Sequence, residues 1–291
     1  SEETRIEAYP MDHQEFCDAV GYNYGVLIAF YFSDVRIGEA TNRILIRNFR
    51  TYVAVGGMPQ AVSAFVEHKN RDEIDRIKKG SSTFIKTSSK RSTNPAGFRK
   101  CMKPSWPSFL QRKSLFLWIW LGEEDKKDDE RVFDLLNSKI VNCCYRVNDI
   151  LPSLSLYTDV TNFKLYVGDT GLFATMLFNS EDRAHEDIYK KLLSDKLGLN
   201  LGFLCENVLA QMIVASKWCL YYFAFPKERS GNYEIGFLLS NKSKAIPLEV
   251  KSRQVKFHIS IDQFGGGIRL NRFLFICPQS CLLFLAFRRI D

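Results

Sequence analysis

The residues best suited to chemistry lie near the C-terminal end, in Ile246-Pro247-Leu248-Glu249-Val250-Lys251. Side chains alternate along a β-strand, so Ile246, Leu248 and Val250 face one way and Glu249 and Lys251 the other. A carboxylate beside an ammonium on one strand face suits a hard divalent ion and a water oriented for phosphodiester attack. It equally suits an ordinary ion pair on a solvated face, because so short a motif also arises by chance. The run before it strengthens the first reading. Tyr233, Ile235, Phe237 and Leu239 alternate as a buried face, which sets Glu234 and Gly236 on the opposite one. Two neighbouring strands would then present Glu234, Glu249 and Lys251 together. The segment Leu199 to Ser216 is a helix, with Leu204, Val208 and Met212, and Cys205, Leu209 and Ile213, recurring at four-residue steps. Its Glu206 is either a further carboxylate for the same site or part of a solvated face with Asn207 and Gln211.

These residues need a sheet to hold them. Cys219 to Phe225, Tyr233 to Ser240 and Ala245 to Ser252 read as strands. A helix near Ile259 to Phe264 and strands at Phe273 to Cys277 and Leu282 to Phe287 complete an α/β domain. Upstream, Phe163 to Val167 is a strand that Asp169-Thr170-Gly171 turns into a new element, and the apolar run Val26 to Phe32 suits a buried strand. Phe49, Tyr52 and Val53 have helical spacing; Gly56-Gly57 stops that helix, and Pro59 fits the first turn of another. Residues 129–138 follow a helical pattern and Ile140 to Val147 a strand. A short helix leading into a strand after a basic segment fits a small winged-helix module, and equally a plain helical connector.

Composition narrows the class. With 291 residues the chain has room for two domains, and 46% hydrophobic against 25% charged residues is a globular balance, not a disordered one. The 23 Phe residues imply aromatic-rich cores or a buried interface. The net charge of +7 permits nucleic acid as a partner without demanding it. The basic residues are unevenly spread: Arg76 to Gly122 contains no acidic residue. Within it, Lys86, Lys90, Arg91, Arg99 and Lys100 sit in or beside a loop rich in Ser, Thr, Asn, Pro and Gly, and are the candidates for phosphate contact. The next helix opens with Asp128-Asp129-Glu130, which would repel a phosphate backbone, so the loop and not that helix is the expected contact. No apolar stretch approaches the roughly 20 residues of a membrane span, so no membrane partner is expected. The start lacks a signal peptide, which points to the cytoplasm. The eight cysteines form no Cys-x-x-Cys pair, Cys143 and Cys144 would face opposite sides of a strand, and reduced thiols are expected.

Taken in order, several of these segments resemble a known architecture. Gly202-Phe203-Leu204-Cys205-Glu206-Asn207, Tyr221-Tyr222, Glu234-Ile235-Gly236-Phe237-Leu238-Leu239 and Ile246 to Ser252 resemble the PD-(D/E)XK nuclease-like domain at the C-terminus of a large family of prokaryotic AAA-type ATPases. Tyr9-Pro10-Met11-Asp12 with Glu15-Phe16 is similar to the end of that ATPase module, and Tyr52 to Val62 to the segment after it. Phe163-Lys164-Leu165-Tyr166 with Asp169-Thr170-Gly171-Leu172 is similar to the entry into the nuclease-like part. The resemblance implies an α+β or α/β protein: an ATPase remnant over residues 1–45, a helical and winged-helix-like domain over 46–155, and a nuclease-like mixed sheet flanked by helices over 156–291. Read as an enzyme, the chain would hold magnesium at Glu206, Glu234 and Glu249, with Glu234 standing in for the family's central ligand and Glu249 and Lys251 catalytic.

The chain departs from the family pattern. It has no G-x-x-x-x-G-K-[ST] loop, so no ATP site and no ATPase activity are expected of it. Gly236 stands where the family carries the central Asp ligand, and residues 84–120 and 253–291 match poorly. The expectation is therefore a truncated family member with a nucleic-acid-related, catalytically degraded nuclease-like end. The alternatives are an active magnesium-dependent DNA nuclease and a non-catalytic module that binds an ATPase domain or a second copy of itself.

Overall fold

The computed structural model describes residues 7–23, 25, 38–68, 73–81, 135–178, 199–226, 232–241, 244–250 and 274–276. Helix α1 (His13–Val20) starts with a reciprocal cap: the Glu15 amide donates to Asp12 Oδ1 at 2.8 Å, and the Asp12 amide donates to Glu15 Oε2 at 2.9 Å. It ends at Gly21, whose φ of 77° is open to glycine. Helix α2 (Glu39–Val55) buries Leu45, Phe49, Tyr52 and Val53 along one side and stops at Gly56, where φ is 88°. Pro59 then opens α3 (Pro59–His68), as its fixed φ and missing N–H favour. Residues 73–81 form α4. The expected turn between Phe49 and Phe65 is thus present, and Phe16 joins its rings to Tyr52 at 5.3 Å and Phe65 at 6.1 Å.

The remaining elements build one mixed sheet. Strands β1 (Val141–Val147), β2 (Thr158–Val167), β3 (Leu220–Pro226), β4 (Asn232–Asn241), β5 (Lys244–Val250) and β6 (Leu274–Ile276) lie in the order β2-β1-β3-β4-β5-β6. β1 is antiparallel to β2 and parallel to β3; β3, β4 and β5 form an antiparallel meander; β6 is parallel to β5. Between β2 and β3 the chain forms α5 (Thr170–Phe178) and α6 (Leu199–Ala215). The chain is therefore mixed α+β. β1 joins this sheet directly, so the expected domain boundary at 155/156 falls between two paired strands. The strand read as the end of a winged-helix module is an inner strand of the larger sheet.

One face of the sheet carries the main core. Leu204, Val208 and Ile213 of α6 pack there with Cys144, Tyr222, Phe237, Leu239 and Leu248. The other face holds a smaller cluster of Val147, Tyr221, Ile235 and Leu238 under Ile150 and Leu154. β4 does not alternate simply. Tyr221 pairs with Leu238 but Phe223 with Ile235, so β4 inserts one extra residue against β3. Ile235 and Leu238, three apart, consequently share the smaller cluster, while Phe237 and Leu239 enter the main core. The single buried face expected for Tyr233, Ile235, Phe237 and Leu239 is split by this bulge.

The expectations for Val26 to Phe32, the loop after Ser81, residues 129–134, the helix near Ile259 and the strand from Leu282 lie outside the described residues. Among the described residues no helix is long and apolar enough to cross a membrane. Cys17, Cys143, Cys144 and Cys219 are free thiols.

Candidate functional site

The bulge in β4 decides where Glu234 goes. Glu234 pairs with Ala224 of the main core, so its carboxylate stands on the α6 side of the sheet, not opposite to it. There the Lys164 ammonium of β2 donates to Glu234 Oε1. Two strands, β1 and β3, separate β2 from β4, a span of about 14 Å at the usual strand spacing. The long Lys and Glu side chains close that span across the sheet face. The Lys164 ammonium also lies 4.6 Å from the centroid of the Tyr222 ring, a cation–π contact. The Lys164 side chain is 11% exposed and that of Glu234 37%, so the cation is the inner partner and the carboxylate the outer one.

Glu206, half-buried on α6, belongs to the same neighbourhood. Burial, and then the negative charges of Glu206 and Glu234, drive the Tyr166 hydroxyl well above its ordinary pKa. Burial likewise pushes the Cys144 thiol up; Lys164 opposes this and Glu234 and Glu206 add to it. Burial and Glu234 raise the Tyr222 hydroxyl. The structure thus gathers Glu234, Lys164, Tyr166, Tyr222 and Cys144 on the α6-facing side of the sheet, and the charge of Glu206 on α6 acts on Tyr166 and Cys144 from the helix. Arg146 closes one side, with its Nη2 donating to the Ala224 carbonyl at 3.3 Å.

Of the other expected site residues only the Glu249 backbone is described. Glu249 lies in β5 with its backbone opposite Phe275; its side chain, and all of Lys251, lie outside the described residues. So do Lys86, Lys90, Arg91, Arg99 and Lys100. At the start of the acid-free span, Arg76 is an open surface residue, whereas Lys78 is buried. Lys78 Nζ donates to the Ala54 carbonyl at 2.7 Å and stands 3.2 Å from Asp75 Oδ1, so it caps the end of α2 and is not offered to a phosphate. Gly236 supplies no ligand, although a Cβ there would come no closer than 3.8 Å to the Leu248 carbonyl oxygen.

The magnesium expectation can be set against these donors. A hard divalent ion takes about six oxygen ligands, several of them carboxylate. Of the two described carboxylates, Glu234 already holds an ammonium, and position 236 adds none. Among the described residues no three His, Cys, Asp or Glu side chains group as metal ligands. The described donor set does not fit the ion.

A second polar cluster was not expected. Asp169 Oδ2 accepts from the Gly57 amide at 2.6 Å and Oδ1 from the Leu172 amide at 2.7 Å, so one carboxylate caps α5 and holds the α2–α3 turn. Asn207 bonds both backbone groups of Val167, at 2.8 and 3.0 Å, and Gln211 Oε1 accepts from the Thr170 amide at 3.0 Å. Gln211 Nε2 and the Tyr52 hydroxyl both donate to the Met11 carbonyl, at 3.2 and 3.0 Å. The Met11, Gly56-Gly57, Asp169-Thr170 and Asn207 segments therefore meet at one joint between the helices and the sheet. Asn207 and Gln211, set beside Glu206 as solvated, are buried joint residues.

Neither Lys164 nor Asp169 was among the expected site residues. The available signal was a single charge within the apolar strand Phe163-Lys164-Leu165-Tyr166-Val167. No family model matches the chain, and neither does any curated protein or solved structure.

Proposed function

We propose that this chain is a nucleic-acid-associated member of the AAA-type ATPase family whose nuclease-like end no longer cuts. The observation that carries this reading is the α6-facing sheet surface. It places Glu234 on the side that α6 covers, where the charges of Glu234 and of Glu206 on α6 both act on Tyr166, yet it has Gly236 at the third position and engages Glu234 with Lys164. A shell short of a carboxylate and occupied by an ammonium binds magnesium poorly and activates no water. The joint also supports the kinship, because the segments similar to three successive parts of the family pack against one another there. DNA contact then rests on the acid-free span, with Lys86, Lys90, Arg91, Arg99 and Lys100 neutralising phosphates.

Titration of a fluorescein-labelled duplex at rising salt tests this. Five phosphate contacts predict a slope of log K against log salt of about −4.5. Lys86→Ala, Lys90→Ala and Arg91→Ala together flatten it by roughly 3 units. A chain that binds no duplex at low salt and instead self-associates overturns the reading in favour of an interaction module.

A further inference from the structure

We infer that Lys164 is the resident cation of the α6-facing site: its ammonium takes the place of a divalent metal, and the native chain therefore accepts none there. This rests on the reading of a degraded nuclease-like end given above. A carboxylate on a part-buried face needs a cation or hydrogen-bond donors near it to offset lost solvation. In this chain that cation is covalently supplied, by β2 at the sheet edge. It reaches over β1 and β3, is held 4.6 Å from the Tyr222 ring centroid, and donates to Glu234. It is also the less exposed member of the pair, at 11% against 37%. An incoming divalent ion would have to strip Glu234 from Lys164 and leave an ammonium inside the protein without that partner, which is strongly unfavourable. An ammonium donates hydrogen bonds but cannot polarise a water as a divalent ion does. The site keeps a cation against Glu234 while losing its Lewis acid.

The test uses the full chain and manganese alone, followed by electron paramagnetic resonance, so that its outcome is independent of DNA cleavage. The native chain and Lys164→Arg are expected to show no site that depends on Glu234. Lys164→Met is expected to gain a Mn2+ site that the native chain lacks, and Lys164→Met with Glu234→Gln to lose that gain. A folded Lys164→Met that gains nothing overturns the inference, as does native Mn2+ binding that Glu234→Gln abolishes. Should Lys164→Met not fold, amine acetylation of the native chain decides. Lys164 is expected to react more slowly than Lys139, whose side chain is 55% exposed, and at a rate Mn2+ leaves unchanged. Acceleration of Lys164 acetylation by about tenfold on adding Mn2+ would mean that the metal displaces the ammonium, and would refute the inference.

Discussion

Replacing Asp169 should separate the helices from the sheet, and the size of the effect follows from its partners. Its carboxylate accepts the Gly57 amide at 2.6 Å and the Leu172 amide at 2.7 Å, both in the buried joint. Hydrogen bonds to a charged acceptor contribute about 1.5–3 kcal/mol each, and a buried amide left without an acceptor costs about 1–3 kcal/mol. Burying the carboxylate offsets part of this, since burial raises the Asp169 pKa above its ordinary value despite those amides and the nearby Lys78. Asp169→Ala should therefore lower the unfolding free energy by about 3–5 kcal/mol. Asp169→Asn retains one good acceptor and should lose about 1–3 kcal/mol. Urea denaturation at pH 7 measures both, and amide exchange at Gly57 localises the loss. A second signature concerns pH. The native form binds the Asp169 proton more tightly than the unfolded chain does. That contribution is complete below the ordinary carboxylate range and is lost as pH rises through the raised value. Asp169→Asn lacks this limb. A loss below about 1 kcal/mol for Asp169→Ala, with Gly57 exchange unchanged, would refute the assignment of Asp169 as the joint's tie.

Two further predictions concern the core. His13 is buried between Phe49 and Tyr52, and burial lowers its pKa from 6.5 to about 3. Its contribution is thus present above pH 6.5 and is lost as pH falls towards 3. At 1.36 kcal/mol per unit the loss is about 4–5 kcal/mol; His13→Phe should flatten this acid limb in denaturation curves taken between those pH values, and parallel curves would contradict it. Gly57→Ala should destabilise by about 2–4 kcal/mol, because its Cβ would fall 2.1 Å from the Met11 carbonyl oxygen, a backbone atom. Gly236→Ala, whose nearest contact would be 3.8 Å, should stay within about 1 kcal/mol of the native chain, and thermal melts of the two variants beside the native chain measure both effects.

Local patterns proved legible where one element settles the outcome. Gly56-Gly57 and Pro59 mark the α2–α3 turn through backbone chemistry alone, and the apolar stripe of α6 carries its own period. What escaped the sequence depends on partners far along the chain. The extra residue in β4 exists only against β3, and it moves Glu234 to the face opposite to the one simple alternation assigns. Lys164 and Glu234 are 70 residues apart and meet across two intervening strands. Asn207 and Gln211 read as solvent-facing because they leave the apolar stripe, yet the ends of β2 and α5 offer them backbone groups to bind. Val141–Val147 has the pattern of a strand in any sheet, so its pairing with both β2 and β3 was not written in its own residues.

Incubation of supercoiled plasmid with the purified chain in magnesium or manganese tests the central claim most directly, run beside Glu206→Gln and Glu234→Gln. The plasmid should remain supercoiled with all three proteins. Metal-dependent nicking by the native chain that both substitutions abolish would show a working nuclease and contradict the account.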